Sequence, residues 1–270
     1  MERVELIMLG TGHATVTRCY NTCFVLKIRE SAFLVDGGGG NGILHQLEKA
    51  GISLTDLSGI FITHVHIDHI LGVVWVLRMI GEIFLDGNYI VKFNVYGHDK
   101  ALEVLEWVCK NTLPLKIWDC IQKNIVFQEV KSDECIKVGM DLHLQCFDVK
   151  SCSEKQFGFH ALLPNRKTLV CLGDAPYNEH LLPYVENADV LLCEAFCLDS
   201  DKEVYFPHEK NHSTVLEAAK VAEEFGVKQL ILYHTEDILL RERKLRYIEE
   251  AHRVFSGQIY VPDDLERIVL

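Results

Sequence analysis

The stretch GIFITHVHIDHI, residues 59–70, places three histidines and one carboxylate within six positions, directly after an apolar run. In an extended segment His64 and His66 face the same side, so both imidazoles can reach one metal ion. Asp68 and His69 follow where the chain is expected to turn into a helix beginning near Ile70, which aims them at a neighbouring position. The stretch therefore predicts two metal ions roughly 3.5–4 Å apart, a spacing suited to hydrolysis. The alternative is a surface histidine cluster without metal.

Short apolar runs alternate with amphipathic segments on both sides of this stretch. The predicted strands are Val4–Leu9, Thr22–Ile28, Ala32–Asp36, Gly59–Thr63, Ile90–Tyr96, Leu142–Asp148, Phe157–Leu163, Thr168–Leu172, Val190–Cys193, Gln229–Tyr233 and Ile259–Val261. The predicted helices are Gly42–Ala50, Ile70–Ile80, Ala101–Cys109, Ser213–Phe225, with a Thr214-x-x-Glu217 capping box, and Leu239–Phe255. Two groups of strands separated by helices predict an α/β architecture with two sheets inside and helices outside.

The composition describes an acidic globular chain of 270 residues, with 27 basic and 39 acidic side chains and a formal net charge of −12. No linker or repeat divides it, so one domain over residues 1–270 is expected. No run of about 18 apolar residues occurs, which argues against a membrane partner. The N-terminus has no signal-peptide pattern and the ten cysteines include no C-x-x-C pair, so reduced thiols and a cytoplasmic location are expected. The negative charge disfavours a polyanionic partner.

Several segments carry a resemblance to a known superfamily. THVHIDH matches the H-x-H-x-D-H signature of the metallo-β-lactamase superfamily, and LGTGHATVTRCYNTCFVL (9–26) resembles the opening of ribonuclease Z and its relatives. LVDGGGG with Asp36, and later Gly173-Asp174, Glu194-Ala195, His212-Ser213-Thr214 and His234, follow in the order of that branch. The similarity covers most of the chain except Gly81–Asp141. It implies a metallo-β-lactamase αβ/βα sandwich, with two mixed β-sheets flanked by helices and a site at the strand ends.

The resemblance also implies a set of metal ligands. His64 and His66 would bind the first ion, Asp68, His69 and His234 the second, and Asp174 would bridge them. Two divalent ions are implied, with Zn²⁺ expected and Mn²⁺ or Fe as alternatives. Asp174 follows an apolar strand in a Gly-Asp turn, where the alternative is a turn or helix-cap aspartate. His234 ends another apolar strand, where a histidine can also be a hydrogen-bonded core residue.

One position departs from the pattern of the superfamily. The superfamily pattern has one further ligand, a histidine, six residues before the glycine of a Gly-Phe or Gly-Tyr pair, and this chain has Cys152 there. A thiolate can replace imidazole on Zn²⁺, and a metal lowers the thiol pKa enough to deprotonate it. Alternatively, the ligand is lost and the first ion is weakly held. We expect Cys152 to be a ligand, with its loss as the alternative.

The resemblance assigns catalytic roles to three residues. Asp68 would activate water as well as bind metal, while Glu194 and His212 would deliver a proton to the leaving group, the carboxylate orienting the imidazole. The alternatives are a helix-start residue for His212 and a solvent-facing carboxylate for Glu194. Arg18 could meet a substrate phosphate or form a surface salt bridge.

These features predict a metal-dependent phosphodiester hydrolase resembling ribonuclease Z, the endoribonuclease that processes the 3′ ends of transfer RNA. RNA as the substrate stays open, because no glycine- and proline-rich arm lies between Gly158 and Glu194, and Glu236 and Asp237 would repel a polyanion. One alternative is a small-substrate enzyme acting on a cyclic nucleotide, an alkyl phosphodiester or another ester or lactam. Another is a metal-binding protein with impaired catalysis. The branch also implies a homodimer.

Overall fold

The structure is a computed structural model, and it describes residues 3–87, 93–139 and 142–270. Its strands are β1 (Val4–Gly10), β2 (Cys23–Ile28), β3 (Ser31–Val35), β4 (Leu57–Ile62), β5 (Phe93–Gly97), β6 (Ile125–Glu129), β7 (Cys135–Val138), β8 (Leu142–Asp148), β9 (Phe157–Leu162), β10 (Thr168–Cys171), β11 (Val190–Glu194), β12 (Gln229–Tyr233), β13 (Gln258–Tyr260) and β14 (Arg267–Val269). Its helices are α1 (Gly42–Lys49), α2 (Ile67–Leu85), α3 (Asp99–Thr112), α4 (Leu115–Asn124), α5 (Leu182–Val185), α6 (Lys202–Tyr205), α7 (Val215–Glu224) and α8 (Leu240–Ala251).

The strands form two seven-stranded sheets, in the orders β14-β1-β2-β3-β4-β5-β6 and β13-β12-β11-β10-β9-β8-β7. Both sheets are mixed. In the first, β3 to β6 are parallel neighbours, while β14, β1, β2 and β3 pair antiparallel. In the second, β10 to β13 are parallel and β7 to β10 antiparallel. The predicted arrangement of two mixed sheets flanked by helices is confirmed.

The sheets pack face to face, with helices on their outer sides. In β1, Leu6 and Met8 lie in the cluster between the sheets, whereas Ile7 lies in the cluster under α1 to α4. Between the sheets the rings of Phe61 and Phe159 meet edge to face, with centroids 5.3 Å apart. A strand buried on both faces needs apolar residues at successive positions, which is why these strands appear as continuous apolar runs in the sequence.

The predicted elements correspond to observed ones, with ends shifted by a few residues, and the first three residues of the predicted strand Ile90–Tyr96 lie outside the described part of the chain. The capping box of Thr214 is present at the start of α7. The sequence did not predict the helices α4, α5 and α6 or the strands β6, β7 and β14. In β7 exposed and buried residues alternate over four positions, and β14 has three residues. Such short, half-exposed strands give little periodic signal.

The start of α2 differs from the prediction in a way that affects the site. The helix begins at Ile67 rather than near Ile70, and His66 is its N-cap residue. Asp68 and His69 therefore lie in the first helical turn, where an aspartate is favoured by the helix dipole. Among the described residues, no helix is long and apolar enough to cross a membrane.

Candidate metal centre

The candidate site lies where parallel strands of both sheets end. His64 follows β4 after one intervening residue, Asp174 follows β10 in a turn, and His234 comes directly after β12. Glu194 is the last residue of β11. Ligand sites of open α/β sheets form beyond the carboxyl ends of parallel strands, because loops from neighbouring strands converge there. The fold thus collects side chains that are far apart in the sequence.

A first cluster consists of His64, His66 and Asp174, whose ligand atoms all lie within 4.8 Å of one another. His64 Nε2 is 3.4 Å from Asp174 Oδ2, and the rings of His64 and His66 are 4.5 Å apart. His64 and Asp174 are buried, and His66 is exposed.

A second cluster consists of Asp68, His69 and His234, all of them buried and again with ligand atoms within 4.8 Å of one another. His69 Nε2 is 3.4 Å from Asp68 Oδ2. Asp174 Oδ2 lies 3.5 Å from both His69 Nε2 and His234 Nε2. One carboxylate oxygen therefore lies between the two clusters.

The buried polar atoms of the two clusters fit divalent ions. His64 Nε2, His69 Nε2 and Asp174 Oδ1 are buried and have no hydrogen-bond partner among the described residues. Buried polar groups are normally hydrogen-bonded, and leaving them unpaired costs free energy. Imidazole nitrogens and carboxylate oxygens that converge without partners are the donor set of a divalent transition-metal site.

Hydrogen bonds behind the histidines determine which ring nitrogen faces the cluster. Asp36 Oδ2 is 2.8 Å from His69 Nδ1 and accepts a 2.7 Å hydrogen bond from Thr63 Oγ1. Thr63 Oγ1 is in turn 2.9 Å from His64 Nδ1. With both Nδ1–H groups donating outward, His64 and His69 present Nε2 to the site, the usual role of partners behind metal ligands. His234 Nδ1 lies 3.2 Å from Thr22 Oγ1 in the same way.

Two backbone turns at the site have left-handed conformations. Gly173 has φ +72°, and its carbonyl accepts a hydrogen bond from the Tyr233 hydroxyl, which fixes the turn that carries Asp174. His234 has φ +58°, a region that residues other than glycine rarely adopt. Such strain persists where the surrounding structure holds it, and it is typical of functional sites.

The electrostatic surroundings of the two clusters favour positive charge between the ligand atoms. Burial would raise the pKa of Asp174, but the nearby His64 holds it well below the usual range. Burial would lower the pKa of His69, whereas Asp36 raises it well above the usual value. Burial lowers the pKa of His234 well below the usual value. The site thus contains an ionised carboxylate and favours positive charge at His69, the charge that a bound cation would supply.

Glu194 and His212 lie beside the second cluster. Glu194 is fully buried, which excludes the solvent-facing alternative, and its Oε1 accepts a 2.5 Å hydrogen bond from the Ser213 amide. Its Oε2 is 3.5 Å from His212 Nδ1. Burial would lower the pKa of His212, but Glu194 raises it above the usual value. The ring of His212 is 5.1 Å from that of His234, so the pair adjoins the ligands.

The structure does not bring Cys152 into either cluster of ligand atoms formed by the described residues. Its side chain is exposed, and Sγ donates to Asn211 Oδ1 at 2.8 Å. The loop in which the superfamily pattern has a histidine ligand here contacts Asn211, the residue before His212. The first cluster thus has three side chains from the part of the chain that the structure describes.

Three residues near the ligands were missed by the sequence reasoning. His13, Phe196 and Lys210 line a cavity of about 250 Å³ together with His66, Asp68, Asp174, His212 and His234. Burial, followed by the charges of His212 and Lys210, lowers the pKa of His13 to about 4. His13 directly follows the Gly-Thr-Gly turn and Lys210 precedes His212 by two positions, so proximity to motifs was the available signal.

Three charged residues on the neighbouring loops hold the loops together. The Asp237 carboxylate accepts hydrogen bonds from the amides of Thr17 and Arg18, both at 2.7 Å. The Arg18 guanidinium donates to the Ile238 carbonyl at 2.9 Å. Glu236 is buried and accepts from the amide of Ile238. Glu236 and Asp237 therefore stabilise loops around the site.

Comparison with known families and structures adds to this geometry. The sequence profile of the family described as anti-Pycsar protein Apyc1 matches residues 4–255. The chain belongs to this family.

Several known proteins are similar to this Apyc1 family member in sequence or in fold. A ribonuclease Z from Phocaeicola vulgatus is 28% identical over 293 residues, covering 90% of the chain and 92% of the relative. The metallo-β-lactamase fold protein YhfI from Bacillus subtilis superposes with a TM-score of 0.79 at 19% identity over the full length of both chains. Zn²⁺-bound PqqB from Methylobacterium extorquens has a TM-score of 0.75 at 14% identity and covers 98% of this chain and all of its own. The Apyc1 family member is thus a metal-dependent hydrolase of the metallo-β-lactamase superfamily, in its ribonuclease Z-like branch.

Proposed function

We propose that the protein is a phosphodiesterase that uses two divalent metal ions. The position of Asp174 Oδ2 carries the proposal, because it lies 3.4–3.5 Å from an imidazole nitrogen of the first cluster and two of the second. His64 and His66 would hold one ion, Asp68, His69 and His234 the other, with Asp174 shared. Zn²⁺ is the proposed metal because imidazole and carboxylate donors suit it, with Mn²⁺ or Fe as substitutes.

The protein's residues have separate roles in this proposal. When bound, divalent ions would lower the pKa of a coordinated water and polarise phosphoryl oxygens. Asp68 accepts the proton of the attacking water in addition to binding metal. His212, kept protonated and oriented by Glu194, donates a proton to the leaving alkoxide. Glu194 is fully buried, so solvent screens its interaction with His212 little.

The proposed substrate is a small phosphodiester, such as a cyclic nucleotide or an alkyl phosphodiester. The cavity at the clusters is about 250 Å³, and residues 163–167 alone connect β9 to β10, so no extended arm leaves the sheet there. The net charge of −12 further disfavours a long polyanion. Because the family is described as an anti-Pycsar protein, we propose that the biological role of this protein is to counteract Pycsar. A homodimer stays a prediction.

RNA cleavage is the second candidate, because the curated relative that covers 90% of the chain is named ribonuclease Z. The two candidate functions use the same metal site and differ in the size of the substrate that the protein must bind. A precursor transfer RNA and a small diester, supplied to the same protein preparation, distinguish them.

Turnover of bis-p-nitrophenyl phosphate by zinc-loaded protein, measured together with metal content, tests the proposal. Wild-type protein should contain two equivalents of metal and cleave the diester. Asp174→Ala should lose activity by about 10³-fold or more, because both clusters lose a ligand. Asp189→Ala is the control, since Asp189 pairs with Lys228 away from the clusters. Inactivity of wild-type protein at full metal content would refute the hydrolase proposal and favour a metal-binding protein.

A further inference from the structure

Lys210 brings a permanent positive charge to the cavity at the ligand clusters. The cavity is lined by the described residues His13, Ala14, Thr15, His66, Asp68, Asp174, Phe196, Lys210, His212 and His234. Lys210 is the only lysine or arginine among them. The two carboxylates in that set belong to the clusters, so they are committed to bound cations in the proposed function.

An aromatic ring restrains the position of this ammonium group. Lys210 Nζ lies 4.6 Å from the centroid of the Phe196 ring. The ring is itself held between His13, at 4.5 Å, and His212, which stacks on it at 5.0 Å with an interplanar angle of 14°. A cation over an aromatic face is attracted by about 0.5–1 kcal/mol at an exposed site, enough to favour this position of a flexible side chain.

No described carboxylate lies within ion-pair distance of Lys210. Elsewhere on this acidic protein, Lys100, Lys155 and Lys228 each pair with a carboxylate at 2.5–2.8 Å. The ammonium of Lys210 therefore retains hydrogen-bond donors for a ligand, and a lysine can offer three of them.

Contacts with the loop that carries Ser151 and Ser153 fix the backbone next to Lys210. Lys210 ends a 3-10 turn that begins at His208, and Asn211 follows with φ +61°. The Asn211 amide donates to Ser151 Oγ at 3.1 Å and Ser153 Oγ at 3.3 Å. This left-handed turn brings both flanking side chains, Lys210 and His212, to the same cavity.

We propose that Lys210 is a substrate-positioning residue that binds a non-bridging oxygen of the substrate phosphate. This inference rests on the proposed function, and it adds a substrate requirement, an anionic phosphate group in the cavity. The non-bridging oxygens of a phosphodiester are negatively charged in the bound substrate as well as in the transition state, so Lys210 contacts them in both. Removal of the Lys210 ammonium should therefore weaken substrate binding more than it slows the chemical step, so that KM rises while kcat changes little.

Kinetics of three variants test the proposal: Lys210→Met, Lys210→Arg and the control Lys220→Met, which removes an exposed charge from α7. For bis-p-nitrophenyl phosphate, Lys210→Met should raise KM about ten-fold, which corresponds to one contact with a charged group, and change kcat less than about two-fold. The inhibition constant of inorganic phosphate should rise in parallel. Lys210→Arg should restore both values, and Lys220→Met should match wild type.

Three outcomes overturn the inference. Unchanged KM and phosphate inhibition in Lys210→Met would show that the ammonium does not touch the anion. An equal shift in Lys220→Met would show a general effect of net charge. A loss confined to kcat would place Lys210 in the chemical step. If wild-type protein cleaves no phosphodiester, the proposed function fails, and direct binding of inorganic phosphate, compared between wild type and Lys210→Met by calorimetry, still tests the Lys210 contact.

Discussion

The two ligand clusters share Asp174 but differ in how firmly their other residues are held. In the second cluster all three side chains are buried, and His69 and His234 each have a partner behind the ring, Asp36 and Thr22. In the first cluster His66 is exposed, and it is the N-cap residue of α2. The second cluster is therefore preorganised, and the first opens toward solvent.

The difference extends to the position where the superfamily pattern has a further histidine ligand. Cys152 occupies that position in the sequence, yet its thiol contacts Asn211 rather than the first cluster. Within the described residues, the first cluster thus has three protein side chains, and one of them is exposed. An ion there would retain coordination positions for water or substrate, the property that distinguishes catalytic zinc sites from structural ones.

Of the changes that separate the two clusters, Asp36→Asn, which breaks the support of the second, is expected to have the largest effect. An amide nitrogen cannot accept the hydrogen bonds that Asp36 Oδ2 accepts from Thr63 and His69, so His69 loses its orientation. Loss of such a partner typically lowers metal affinity 10–100-fold. Chelator competition followed by metal analysis should show that both ions bind more weakly, because Thr63 also contacts His64. Asp56→Asn, at an exposed capping box, serves as the control. Unchanged affinity would mean that the second cluster does not depend on this support.

A smaller effect is expected when the first cluster alone is broken with His66→Ala. Titration of wild-type protein with a chromophoric chelator should release metal in two phases, the weaker phase belonging to the first cluster. We expect the two affinities to differ by about ten-fold or more, because His66 is exposed whereas every side chain of the second cluster is buried. His66→Ala should remove the weaker phase and leave the tighter one. His45→Ala, at an exposed position of α1, is the matched control. A single phase in wild type would contradict the proposed asymmetry.

The smallest effect is expected from Cys152→His, which returns the superfamily's residue to this position. If the imidazole replaces the Asn211 contact with a ligand bond, affinity in the weaker phase should rise about ten-fold or less, since the loop must also move. Cys152→Ala should leave both phases unchanged, and so should Cys135→Ala, another exposed thiol. A weaker first ion in Cys152→Ala would instead indicate that the thiolate is a ligand, as the sequence suggested.

The parts of the site that the sequence predicts are those encoded locally. Four of the residues lie within six consecutive positions, so the sequence alone shows that they are close together: His64, His66, Asp68 and His69. The roles of Asp174 and His234 came from the resemblance and from their place after apolar strands. The structure brings them to the same clusters, and metal ligation itself stays a prediction.

The features that the sequence did not predict depend on contacts between distant segments. Phe196 joins His13 and Lys210 at the cavity, and these residues come from three separate loops. The contact of Cys152 with Asn211 likewise joins two loops. No periodicity or spacing encodes such packing. The unpredicted β6 lies in residues 81–141, where the resemblance gives no guide.

Pairing of β1 with β14 has a consequence for the order of folding. Glu5 lies opposite Val269, and the Asp264 carboxylate accepts hydrogen bonds from Thr11 Oγ1 and the Tyr20 amide. Contacts between such distant residues carry a large loop-closure entropy and form late. The segment 11–20, which carries His13, is therefore expected to reach its final conformation after the sheets have formed. Hydrogen exchange during refolding should show the amide of Tyr20 protected later than those of β2.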